Sequence, residues 1–168
     1  FASGFELIGN QGGQQYFSVN DTDVIRFPDA GGTASMVASG IADIVGMTQT
    51  HLLFTRVSGN TVMLKAQDLS SASAPVTLKA ATNLNAYTLS RDRVFFNQTT
   101  GSPAQSYSAG SIKLDGSGEA IFNNAKWVGY GVNNNVRTAT ALPNASSLLL
   151  AQNVSLDSNG NWSGGTLA

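Results

Sequence analysis

The chain contains no cysteine, which removes disulfide staples and thiolate metal sites together and leaves the redox compartment unmarked. Histidine occurs once, at position 51, so a zinc, copper or iron site built on imidazoles has almost nothing to draw on. Charge is scarce as well: Asp, Glu, Lys and Arg make up 11% of the chain, against about 25% in an average soluble domain. The nine basic residues are spread from Arg26 to Arg137 without clustering, and the net charge is −1. That excludes the basic patch a nucleic-acid or anionic-membrane partner would need. No apolar run approaches the roughly 20 residues of a membrane-spanning helix, so membrane insertion is not expected.

What replaces charge is neutral polarity. Asn, Ser, Thr and Gly occupy 66 of the 168 positions, a composition suited to turns and exposed strand faces and associated with secreted, periplasmic or cell-surface β proteins. Hydrophobic residues still make up 42% of the chain and fall in short runs, so disorder is not expected. At this length a single domain buries about 70% of its unfolded surface, enough for a core without staples. The chain opens on Phe1 with no basic-then-apolar leader, as expected of a processed or trimmed product, removal of an upstream signal peptide being one route to it.

The strongest pattern is internal repetition. A slide of 42 residues lays Asp43–Gly59 over Asn85–Gly101, matching Val45 with Tyr87, Met47 with Leu89, Leu52 with Val94, Leu53 with Phe95 and Phe54 with Phe96. An Asp that closes a strand-like run and opens a turn recurs at Asp29, Asp68, Asp115 and Asp157. Their mean spacing is close to the period of a four-stranded propeller blade. Within a unit the pattern predicts four short strands bounded by Asn, Asp, Gly or Ser. In the clearest copy these are 84–89, 93–97, 111–114 and 119–122. The fold expected is therefore all-β, a β-propeller-type repeat of about four four-stranded antiparallel blades, a partial propeller or half of a larger ring. The chain forms a single repeat domain, 1–168, with approximate blades at 1–40, 41–82, 83–124 and 125–168.

The run Arg93-Val-Phe-Phe-Asn, followed by Gly110-Ser-Ile-Lys-Leu-Asp-Gly-Ser-Gly118 and Ala120-Ile-Phe, resembles the blades of TolB-like and related bacterial extracytoplasmic β-propellers. The likeness covers residues 43–122 and is weaker on either side. It implies fold and leaves activity open, because propellers host unrelated functions. Four blades with open ends would expose a strand edge and an apolar face. The expectation is thus pairing with another chain or with further blades.

Each candidate for chemistry has a plainer structural counterpart. His51 falls at a turn between the first two strands of its unit, where it reads as a surface residue. Asn20-Asp21-Thr22-Asp23 spaces oxygen ligands as calcium loops do, making Asp21 and Asp23 weak calcium candidates without the terminal bidentate Glu. Asp29, Asp68, Asp115 and Asp157 read as hairpin turn residues. Tyr107, Trp127 and Tyr130 are weak candidates for a stacking platform. Tyr107 sits in an expected rim loop, 101–110, whereas Trp127 lies near a first strand where packing is its simpler role. Five Asn-x-Ser/Thr sequons, at Asn20, Asn97, Asn144, Asn153 and Asn161, fit chance in so Asn- and Ser-rich a chain. No cofactor is implied. The function expected is noncatalytic binding of a protein or glycan through rim loops such as 101–110 and 131–140. The alternatives are a secreted hydrolase or lyase working with carboxylates at a central channel, for which Glu119 and Asp23 are the residues to test, and a structural segment of a larger surface protein.

Overall fold

The computed structural model describes residues 4–90, 92–100, 106–123, 125–127, 136–144, 147–156, 162–163 and 166–167. Every regular element among them is a β-strand, as the alternating short runs predict. The strands form four antiparallel sheets, each taken up by a consecutive stretch of chain, and none closes on itself. The first sheet is β1 (Phe5–Gln11), β2 (Gln14–Val19), β3 (Asp23–Pro28) and β4 (Ser35–Ala38), in that order. The second is β5 (Asp43–Met47), β6 (His51–Ser58), β7 (Thr61–Asp68) and β8 (Val76–Ala81). The third is β9 (Asn83–Ser90), β10 (Arg93–Thr100), β11 (Ser106–Lys113) and β12 (Ala120–Asn123). The fourth orders β13 (Ala125–Trp127), β14 (Val136–Asn144), β15 (Ser147–Leu156) and β16 (Trp162–Ser163), with β17 (Thr166–Leu167) also pairing with β15. Two compact units result, Phe1–Ala80 and Ala81–Ala168.

Three of the sheets repeat in backbone detail. The carbonyl that precedes the second strand accepts a hydrogen bond from the amide that follows the third. Gly13 accepts from Asp29 at 2.9 Å, Thr50 from Leu69 at 2.9 Å, and Asp92 from Leu114 at 2.8 Å. The first strand of each also carries a register shift against the second, at Leu7/Gly9, at Ile44/Gly46, and opposite Phe95/Asn97. An extra residue on the outer strand bends it and increases its twist. These marks place Phe17, Phe54 and Phe96 at one equivalent position, and Tyr16, Leu53 and Phe95 at the next. Asp29 carries the shared amide itself, whereas Asp68 lies one residue before Leu69 and Asp115 one residue after Leu114, which carry it in the other two sheets.

Turn chemistry fixes the hairpins. Gly12 and Gly13 link β1 to β2 with φ of 58° and 73°, the doubly left-handed turn that matches strand twist and that glycine adopts without strain. Between β2 and β3 the left-handed residues are Asn20 and Asp21, φ 49° and 58°, the non-glycine types that best tolerate that region.

In the first unit the core lies between the first and second sheets. Tyr16, Val24 and Ala38 from one face of the first sheet pack with Leu52 and Phe54 of β6, Leu69, and Ile41 from the connection. Ile8, Val37, Ile44 and Met47 seal the edges. Polar links reinforce the contact: Arg26 Nη1 donates to the Leu69 carbonyl at 3.1 Å, and Arg56 Nη2 donates to the Ser39 carbonyl at 2.5 Å. The Arg56 guanidinium also lies 5.4 Å from the centre of the Phe54 ring, a cation–π distance.

In the second unit the third sheet packs through a close approach. Phe96 faces Gly110 across β10 and β11, and Gly110 faces Ile121 on β12. A Cβ at Gly110 would meet the Phe96 ring at 2.5 Å and Ile121 Cδ1 at 2.9 Å, so the glycine is what lets the ring lie flat there. Arg93, 5% exposed, donates to Ser111 Oγ at 3.1 Å and to the Gly118 carbonyl, tying β10 to the chain that follows β11.

Two loops expected from the sequence are strand in part. Residues 106–110 belong to β11, where the loop was expected over 101–110; residues 101–105 lie outside the described residues. The Asn-rich segment 131–140 becomes strand from Val136. In both places small or polar residues obscured a strand that cross-strand pairing imposes.

Candidate functional site

At one end of the first unit, four turns converge on a groove of about 490 Å³ between the first and second sheets. It is lined by the β1–β2 turn (Gln11, Gly12, Gln14), by Arg26, Thr33 and Ser35 around β3 and β4, by Gln49 and Thr50 of the β5–β6 turn, and by Ser70 after β7. Tyr16 and Leu69 add apolar surface. Antiparallel order explains the convergence, because in consecutive four-stranded meanders the first and third turns fall at the same end.

The groove is polar but almost uncharged. Its one cation, Arg26, is already engaged, with Nε donating to Ser35 Oγ at 3.1 Å and Nη1 to the Leu69 carbonyl. Gln11 Nε2 donates to the Gln49 carbonyl at 3.3 Å, stitching the two turns across the groove. Beside it the β7–β8 connection is held by Gln67, 4% exposed, whose Nε2 donates to the carbonyls of Asp68, Ser71 and Ser73 at 2.9, 3.4 and 3.0 Å. Asp68 Oδ1 accepts from the Ser70 amide at 2.8 Å and the Ser70 hydroxyl at 2.7 Å. The Ser70 hydroxyl first, then its amide, holds the Asp68 carboxyl below the ordinary aspartate range. This wall offers amides, hydroxyls and backbone groups in fixed positions, and the Thr50 hydroxyl lies 2.8 Å from His51 Nδ1.

A second cavity, about 410 Å³, opens at the opposite end of the same two sheets and is lined by Glu6, Ser18, Asp21 and Asp43 among others. Among the described residues no three His, Cys, Asp or Glu side chains gather closely enough to hold a metal ion. Asp21 and Asp23 take hairpin positions: Asp21 is the left-handed turn residue, and Asp23 opens β3 with Oδ1 accepting from the Gly40 amide at 3.3 Å.

The other sequence candidates scatter. Asp115 accepts from the Ser117 amide at 2.8 Å, and the Ser117 side chain and amide hold its carboxyl below the ordinary aspartate range as Ser70 does for Asp68. Asp29 instead receives Asn10 Nδ2 at 3.1 Å. His51 opens β6, with Nδ1 2.8 Å from Thr50 Oγ1. Tyr107 sits on β11 opposite Thr99, not in a loop. Trp127 ends β13 opposite Ala139. Glu119 is exposed just before β12. Tyr130 and Asp157 lie outside the described residues. Tyr107 and Trp127 fall on separate strands, β11 and β13. The groove's glutamines were passed over in the sequence because amides in turns carry no catalytic signature; the available signal was their recurrence at two hairpin ends, Gln11 to Gln14 and Gln49.

Among the described residues no helix is long and apolar enough to cross a membrane. No protein-family model matches this sequence, and no curated protein matches it either.

Proposed function

We propose that this chain is a noncatalytic propeller-type module, working outside the cytoplasm, that binds a glycan at the turn-lined end of its blades. The observation that carries the reading is the neutral groove between the first two sheets. Its volume is that of an ordinary ligand site, yet it presents amides and hydroxyls where such sites are mostly apolar. Sugar hydroxyls need that kind of alternating donor and acceptor surface. The backbone marks shared by three sheets support successive blades of one repeat, and the low charge supports an extracytoplasmic setting. A protein partner at the same turns is the other outcome of the test.

A glycan array and a broad hydrolase screen on one preparation test this. Binding without turnover is expected, with affinity falling about tenfold or more, roughly 1.4 kcal/mol, in Gln14→Ala or Gln49→Ala. Because Arg26 is the groove's one charged lining residue and is already hydrogen-bonded to Ser35 and Leu69, raising salt from low to physiological strength should leave affinity for an uncharged sugar nearly unchanged. The acid-lined cavity favours a second reading, a hydrolase using carboxylates. Turnover abolished by Glu6→Gln or Asp43→Asn, or by changes at Asp23 or Glu119, would replace the binding reading.

A further inference from the structure

Charge is scarce in this chain, yet two cations share one face of the second sheet. Phe54 pairs with Lys65 across β6 and β7, and Arg56 pairs with Met63 in the next row on that face. Residues paired across a ladder, and those two apart on one strand, point to the same side. Arg56 and Lys65 are therefore diagonal neighbours, about 7–8 Å apart at the backbone and within reach of each other's long side chains. The Lys65 ammonium meets the Thr77 hydroxyl of β8 at 2.7 Å. Lys79, two residues along that strand from Thr77, falls on the same side of it and adds positive potential.

Among the described residues neither Arg56 nor Lys65 forms an ion pair with a carboxylate. Arg56 Nη2 donates to the Ser39 carbonyl while the guanidinium lies over the Phe54 ring, and Lys65 Nζ donates to Thr77 Oγ1. Both acceptors are neutral. Of the neighbouring acids, Asp43 pairs with Thr55 and so belongs to the opposite face of β6, and Asp23 Oδ1 accepts from the Gly40 amide. Like charges set diagonally with nothing between them repel. The cost shows at Lys65, where partial burial first and the Arg56 charge second hold the ammonium below the ordinary lysine range. Arg56 Nε, moreover, is buried without a hydrogen-bond acceptor. A shielded N–H left unpaired in a folded protein calls for an explanation, and an ion is one of the usual ones.

We infer that Arg56 and Lys65 together bind a multiply charged oxyanion, sulfate or phosphate, free or carried on a larger ligand. Two unit charges on one side of the sheet match an ion of about −2 charge. The guanidinium keeps N–H donors beyond the one given to Ser39, and the ammonium keeps donors beyond the one given to Thr77. Ser39 and Thr77 hold the two long side chains in place beforehand, which lowers the entropic cost of gripping the ion.

Amide NMR of the intact chain, titrated with sodium sulfate and with sodium chloride at matched ionic strength, tests the site. Saturable shifts at Ser39, Arg56, Lys65 and Thr77 are expected with sulfate or phosphate and not with chloride. Lys65→Gln should weaken binding about tenfold by removing one of the two charges. The wild-type chain gives a second readout: the Lys65 titration midpoint, followed by its Cε carbon shift, should rise on adding sulfate, because an anion favours the charged ammonium. An O-sulfated monosaccharide beside its unsulfated parent identifies the source. Tighter binding than sulfate alone marks a carried group and equal or weaker binding a free ion, and both support the site. The probe is an inorganic ion, so loss of glycan binding at the neutral groove leaves this result standing, and the reverse also holds. Shifts that never saturate, shifts as large in chloride, or binding unchanged in Lys65→Gln overturn the inference.

Discussion

At the scale of single residues, the turns are organised by short side chains that hydrogen-bond to the backbone two positions on. Asp68 with Ser70, Asp115 with Ser117 and Ser71 with Ser73 are examples. Both carboxyls are held below the usual 3.8, so the ionised form is favoured by folding. The sign follows: their contribution is present above the unfolded value and is lost as pH falls through the lower folded value. Ser70→Ala should raise the Asp68 titration midpoint toward 3.8 while leaving Asp115 unchanged, as followed by the carboxyl carbon shift of each aspartate in an NMR titration. An unmoved Asp68 would mean that the Ser70 bonds are not what stabilise the carboxylate. The recurrence of Asp at turns was legible in the sequence. Its phase was not, because an aspartate serves a turn equally well one residue earlier or later, and only the amides of Asp29, Leu69 and Leu114 reveal the true repeat.

Strands and hairpins were read more securely where apolar residues cluster, as in Leu52-Leu53-Phe54 and Val94-Phe95-Phe96. Where small residues dominate, as in Ser106-Tyr107-Ser108-Ala109-Gly110, composition pointed to a loop and the structure has a strand. The reason lies across the ladder. Phe96 opposes Gly110, and a residue without a side chain is what the ring requires. Gly110→Ala should accordingly destabilise the protein by about 1–3 kcal/mol through overpacking, despite the higher strand propensity of alanine. Urea unfolding checks it: a midpoint equal to wild type would show that Phe96 and Ile121 give way freely. Gly12→Ala differs in kind, since nothing lies within 4 Å of a Cβ there and only its positive φ resists the change.

For the whole molecule, consecutive meanders mean that each of the first three sheets has two inner strands paired on both sides and two outer ones paired on one. Amides of β2, β3, β6, β7, β10 and β11 should exchange with solvent most slowly, and those of β1, β4, β5 and β8 faster, because opening an outer strand breaks one ladder instead of two. Hydrogen-exchange mass spectrometry resolves this strand by strand. Equal protection of β4 and β3 would contradict the order of the first sheet.

Sequence by itself determined the strand content and the turn chemistry, since each depends on alternation, β-branching and glycine or Asx residues that act within a few positions of one another. Which face of each strand meets which neighbour was decided only by tertiary structure. Runs such as Leu52-Leu53-Phe54 are apolar on both faces, so alternation alone cannot tell the face that packs from the one left open. The groove from Gln11 to Ser70 arises from that choice, made when residues distant in the chain were brought onto adjoining sheets.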